Sequence, residues 1–153
     1  KERYVKKMKE FENKVFDYPK KALSGFSLYI KDRMPDLKQE KKDVCIVSAA
    51  TVQKVQETIK GLSLPFTTKE LFSAKDVERG KPFPDVYLKL AEEKGISPDE
   101  IIVFEDSPNG VKSAVSAGCH VIFIPDLTDE KGLEGIDYVF SDFDLVSHFF
   151  KSL

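Results

Sequence analysis

A chain of 153 residues, 41% of them hydrophobic, is about one globular domain long and can bury a sizeable core. Its 24 basic and 26 acidic residues leave a net charge of -2, which gives no electrostatic reason to expect nucleic acid or a membrane surface as partner. No apolar run in it reaches membrane-spanning length and no leader pattern appears, so the expected compartment is the cytoplasm. Cys45 and Cys119 have neither metal-type spacing nor a disulfide framework around them, and read as free thiols in a reducing environment.

Tyr4, Met8, Phe11 and Val15 recur every three to four residues among lysines and glutamates, the apolar stripe of an amphipathic helix that Asp17-Tyr18-Pro19 ends. A second helix is expected through Leu23, Phe26, Ile30 and Met34, closed by Pro35. "DVCIVSAAT" reads as a buried strand. Thr51 to Lys60 reads as a helix with Val52, Val55 and Ile59 on one face and Gly61 as its stop. Residues 62–80 look irregular, with a short strand near Phe72. "KPFPDVYLKLAEEKG" opens with prolines, continues as a helix and ends at Gly95. Strand and helix then alternate: strand Ile101 to Phe104, helix Asn109 to Ala117 ending at Gly118, strands Val121 to Ile124 and Tyr138 to Phe140, and a last helix from Asp144 to Phe150. This is the pattern of βαβ units, an α/β fold with a Rossmann-like parallel sheet flanked by helices.

In such sheets ligands bind beyond the carboxyl ends of the strands, and polar residues collect there. Ser48 follows "VCIV", Glu105 and Asp106 follow "IIVF", and Lys81 stands at a helix entrance. Each has a plain structural reading: a turn hydroxyl, a solvated lysine, a carboxylate capping the helix near Pro108. Two adjacent carboxylates at a strand end nevertheless repel unless a cation lies between them or one is protonated. Mg²⁺ answers that need, since it takes a few carboxylate oxygens, keeps waters and brings phosphate oxygens. A serine hydroxyl, backbone N–H groups at a helix start and a lysine ammonium are the donors a phosphoryl group requires. Together the residues describe a magnesium-phosphate site. His120 reads as a packed edge residue beside a strand start, and His148 as a surface residue.

"VSAAT", "GKPFPDVY" and "VFEDSPNGVKSAVSAG", in that order and separation, resemble the second, third and fourth motifs of the haloacid dehalogenase-like phosphohydrolases, in the branch of β-phosphoglucomutase and small sugar-phosphate phosphatases. The likeness covers residues 20–153. It implies a core domain over 20–153 and, over 1–19, the C-terminal remnant of a helical cap. It also implies a small phosphorylated substrate: Ser48 and the backbone of Ala49 would bind the phosphoryl group, Lys81 would neutralise it, and Glu105 and Asp106 would hold Mg²⁺ directly or through water. The family's reaction passes through an aspartyl-phosphate.

The family's first motif, a strand ending in Asp-x-Asp-Gly-Thr that carries the nucleophile, has no counterpart in this sequence. The only Asp-x-Asp, Asp142 and Asp144, precedes "LVSHFF", where Asp144 suits an N-cap. The expected sheet therefore lacks its central first strand and falls into two halves with unpaired inner edges. An upstream segment or another chain would have to supply it. A second reading is a non-catalytic regulatory module that keeps the phosphate and metal pocket. A phosphoacceptor signalling domain would need its acidic pair on the first strand, and the motif order argues against it.

Overall fold

The computed structural model describes residues 43–125, 133–141, 145, 146 and 148. The expected cap remnant, the helix through Leu23 to Met34, and Asp142 and Asp144 lie outside these residues. In chain order the described elements are β1 (Ile46–Ser48), α1 (Val52–Leu62), β2 (Leu71–Ser73), α2 (Asp85–Lys94), β3 (Ile102–Glu105), α3 (Pro108–Ala117), β4 (His120–Phe123) and β5 (Tyr138–Val139). Leu145, Val146 and His148 are helical, where the last helix is expected. None of the described helices is long and apolar enough to cross a membrane.

All strand pairs are parallel, and among the described residues they form two sheets. In the first, β1 pairs with β2, with Ser48 opposite Ser73. In the second, the order is β3-β4-β5, with Glu105 opposite Phe123 and Ile122 opposite Tyr138. Among the described residues no ladder joins the two sheets.

The sheets nevertheless share a core. Phe72 of β2, Val86, Tyr87 and Leu90 of α2, Val103, Val111, Ala114, Val121 and Phe123 pack in one buried cluster, with Val47 of β1 and Cys45 just before it partly buried against it. At about 1.5–3 kcal/mol for each fully buried large aliphatic or aromatic side chain, this cluster is the main force holding α2 and α3 on the sheets. The predicted stripe on α1 covers the other face of β1 and β2, where Ile59, Leu64 and Leu71 are buried and Val52 and Val55 lie against them. Ile122, Ile124, Phe140 and Val146 form a third cluster with Phe104 and Tyr138.

One expected boundary is wrong, for a physical reason. Gly61 does not stop α1. The helix runs through it and closes at Ser63, whose φ is 53°. The N–H groups of Ser63 and Leu64 donate to the carbonyls of Lys60 and Ile59 at 3.1 and 3.0 Å, the two reversed bonds of a Schellman motif. The apolar contact that accompanies the motif, Leu64 on Ile59, sets the stop two residues beyond the glycine. α2 and α3 end in the same way at Gly95 and Gly118, where Ile96 and Cys119 donate to Ala91 and Ala114 at 3.1 Å.

Candidate active site

Glu105 ends β3 with its backbone carbonyl in the sheet, accepting from Ile124 at 2.8 Å, and its side chain is 7% exposed. A carboxylate so buried is costly unless paired and hydrogen-bonded. Oε1 forms an ion pair with Lys81 Nζ and accepts from the Tyr87 hydroxyl at 2.7 Å. Oε2 accepts from Ser107 Oγ at 3.3 Å. The Tyr87 ring centroid lies 5.3 Å from the Lys81 ammonium. Burial, and then the Glu105 charge, push the Tyr87 hydroxyl well above its usual pKa, so it remains a proton donor.

Lys81 reaches this carboxylate from the turn before α2, which includes a cis Lys81–Pro82 bond and closes where Phe83 N–H donates to Gly80 at 3.0 Å. The turn is held from both sides. Ser113, fully buried on α3, donates from Oγ to the Phe83 carbonyl at 2.6 Å. Asp85, the first residue of α2, accepts from the backbone of Arg79 at 3.2 Å and from its guanidinium at 3.1 and 2.8 Å. The Arg79 guanidinium keeps the Asp85 carboxyl below the usual carboxylate range. The lysine expected from sequence as either a surface charge or a site residue has a side chain only 11% exposed.

Asp106 follows Glu105 and is exposed. It does not cap α3. Ser107 does, accepting from the Gly110 N–H at 3.1 Å, with Pro108 in the first helical turn. Gly110 is required by contact: a Cβ there would overlap the Glu105 carboxylate. The first turn of α3, with its partly positive N-terminal end, therefore lies directly on that carboxylate.

Ser48 ends β1. Its Oγ accepts from the Ala50 N–H at 3.1 Å, the turn geometry of the plain reading, and its hydroxyl hydrogen is left to donate. Ala49 is exposed. Ser73, at the matching position on β2, donates to the Ala50 carbonyl at 2.8 Å and fixes this turn. The Ser48 carbonyl accepts from Ala74 at 2.8 Å, and Gly80, next to Lys81, sits so close to the Ala74 carbonyl that an added Cβ would lie 3.2 Å from it. Backbone contacts thus run from the end of β1, across the end of β2, to the lysine turn.

The fold brings Lys81 onto Glu105, with Asp106 next to it in the chain, and connects the Ser48 carbonyl to the lysine turn through Ala74 and Gly80. Tyr87, Ser107, Gly110 and Ser113 were not singled out from the sequence. Pro108 was the available signal for Ser107, since a proline in the first turn puts the N-cap one residue before it. Among the described residues no three His, Cys, Asp or Glu side chains converge as a metal group. The local donors are all oxygen, Asp106 exposed and Glu105 already held by Lys81, and a set with one or two carboxylates suits a hard cation completed by phosphate and water. His120 is not packed at the edge: it is exposed, with Nδ1 3.2 Å from Asp137 Oδ1, while Asp137 Oδ2 accepts from Val121 at 2.8 Å. His148 is exposed, as expected. Both cysteines are free thiols, Cys119 buried and Cys45 half-buried.

The family model of haloacid dehalogenase-like hydrolases matches residues 1–124. The chain belongs to that family. It is 43% identical over 89 residues to hexitol phosphatase A of Escherichia coli, covering 58% of this chain and 39% of that protein. It is 27% identical over 134 residues to the phosphorylated carbohydrates phosphatase of Thermotoga maritima, covering 86% of this chain and 60% of that protein. Among solved structures, a haloacid dehalogenase-like protein of Agrobacterium tumefaciens superposes with a TM-score of 0.64 at 28% identity, over 80% of this chain and 60% of that one. The chain thus spans between two-fifths and three-fifths of the length of these relatives.

Proposed function

We propose that this chain is the larger part of a Mg²⁺-dependent phosphatase or phosphomutase of the haloacid dehalogenase-like family, acting on a small phosphorylated metabolite, with a sugar phosphate as the preferred class. The observation that carries this reading is the buried pairing of Lys81 with Glu105 next to the exposed Asp106. A lysine and two carboxylates gathered at a strand's carboxyl end are what a phosphoryl group and its cation need, and folding alone has no use for an exposed Asp106 there. The printed names of the relatives, hexitol phosphatase and phosphorylated carbohydrates phosphatase, support the substrate class.

In this reading the Ser48 hydroxyl and the Ala49 N–H donate to the phosphoryl oxygens, and Lys81 balances their charge from the side of α2. Asp106, with Glu105 directly or through water, holds Mg²⁺, which when bound neutralises charge on the phosphoryl oxygens. Glu105 also holds the Lys81 ammonium in place. The nucleophilic aspartate comes from a strand outside residues 1–153, which pairs between β1 and β3 and joins the two sheets. The reaction takes place in the cytoplasm.

The test is turnover of a panel of sugar phosphates by the full-length gene product with Mg²⁺, beside an Asp106→Ala variant. Phosphate release that depends on Mg²⁺ and falls at least a hundredfold in the variant, the scale of losing one charge-stabilising group, is the expected result. Undiminished turnover in Asp106→Ala would remove the metal assignment, and no release from any substrate would remove the activity.

A further inference from the structure

Tyr87, in the buried cluster, touches both members of the Lys81–Glu105 pair. Its hydroxyl donates at 2.7 Å to Glu105 Oε1, the same oxygen that Lys81 Nζ holds, and its ring faces the ammonium at 5.3 Å. It is 2% exposed, so water does not replace the hydroxyl's bond. Ser107 occupies the other carboxylate oxygen at 3.3 Å. With donors on both oxygens the carboxylate has a single orientation, and the ammonium bound to it has a single place. If the Tyr87 hydroxyl were removed, Lys81 would be the only hydrogen-bond donor to Oε1 among the described residues, and the pair could rotate together about the glutamate side chain.

We propose that the Tyr87 hydroxyl is a positioning group for Lys81, fixing through Glu105 Oε1 the direction in which the ammonium meets a phosphoryl oxygen. The inference rests on the phosphate-site reading above and adds a residue to it that touches no substrate. Position 87 tolerates phenylalanine in shape, since only the hydroxyl is lost, and the ring keeps its packing against Val86, Leu90 and Val103. An interaction made alike with bound substrate and with the transition state appears in KM, not in kcat. Loss of the hydroxyl therefore raises KM.

The test uses the full-length protein as wild type, Tyr87→Phe, Lys81→Ala and the double variant, with orthovanadate affinity read by calorimetry and KM and kcat read on a sugar phosphate. Tyr87→Phe is expected to weaken vanadate binding and raise KM by about tenfold, the scale of one hydrogen bond to a charged group, with kcat within about threefold of wild type. In the Lys81→Ala background the same change is expected to add nothing, since its route through the lysine is gone. Unchanged affinity in Tyr87→Phe while Lys81→Ala weakens binding would overturn the inference and leave the phosphate site standing. The full loss persisting in the Lys81→Ala background would also overturn it, as would failure of Tyr87→Phe to fold, which would make the hydroxyl a structural group. Unchanged vanadate affinity in Lys81→Ala would instead overturn the phosphate-site reading itself.

Discussion

Lys81 and Glu105, 24 residues apart in the chain, meet as a buried ion pair at the end of β3, with side chains 11% and 7% exposed. One comes from the turn that enters α2 and the other from the last position of a strand, so the contact exists only after α2 has docked on the sheet. Removing one member of a buried pair leaves the other charge uncompensated. Lys81→Ala is therefore expected to destabilise the fold by about 3 kcal/mol, less the support that Tyr87 and Ser107 still give the carboxylate, measured by urea denaturation. It is also expected to weaken vanadate binding by about 1–3 kcal/mol, the range for a lost charge-assisted hydrogen bond. Vanadate affinity equal to that of the wild type would contradict its role at the phosphate.

Asp106 and Ser107 are neighbours with opposite expected effects. Ser107 caps α3, and its replacement by alanine is expected to cost about 1 kcal/mol of stability. Asp106 is exposed and caps nothing, so Asp106→Asn is expected to leave the urea midpoint within error while Mg²⁺-dependent turnover collapses. A drop in stability for Asp106→Asn larger than that for Ser107→Ala would return Asp106 to a structural role.

Two glycines in helices should also respond in opposite directions. At Gly110 a methyl group would overlap the Glu105 carboxylate, and overpacking of this kind costs about 1–3 kcal/mol. At Gly61 nothing lies within 4 Å of an added Cβ, and alanine in a helix interior is favoured by about 0.5–1 kcal/mol. Thermal melts should therefore shift down for Gly110→Ala and up for Gly61→Ala.

Burial pushes the Cys119 thiol from an ordinary value of 9.0 to about 11. The folded state thus holds this proton more tightly than the unfolded state does. The corresponding stability is fully present below pH 9 and is lost as pH rises to about 11. Urea midpoints at pH 8 and pH 10.5 should fall less in Cys119→Ala than in the wild type. The same thiol should resist alkylation at pH 8 until the protein is unfolded.

Among the described residues no ladder joins the two sheets, and open strand edges invite pairing with other chains. If a further strand completes the sheet, as proposed above, residues 1–153 expressed alone are expected to aggregate, and co-expression with a segment that supplies that strand is expected to keep them soluble. A soluble, monomeric preparation of residues 1–153 with a cooperative melt would contradict the proposed missing strand.

Local pattern was enough to read most of the described elements. Alternating apolar runs and helical stripes, with Gly95 and Gly118 as helix stops, placed β1, β3, β4 and α1 to α3 to within a few residues, because periodicity and capping are properties of neighbouring residues. The motif spacing likewise pointed to Ser48, Lys81, Glu105 and Asp106. What depends on contacts distant in the chain was not legible. The stop of α1 was set by the packing of Leu64 on Ile59, and the capping of α3 by Ser107, which released Asp106. The burial of Lys81 came from α2 and α3 closing over β3, and the grip of Tyr87 on Glu105 from the same docking. A carboxylate's partners in a low-dielectric core are chosen by which donors the packing brings within hydrogen-bond reach, and no run of adjacent residues specifies that.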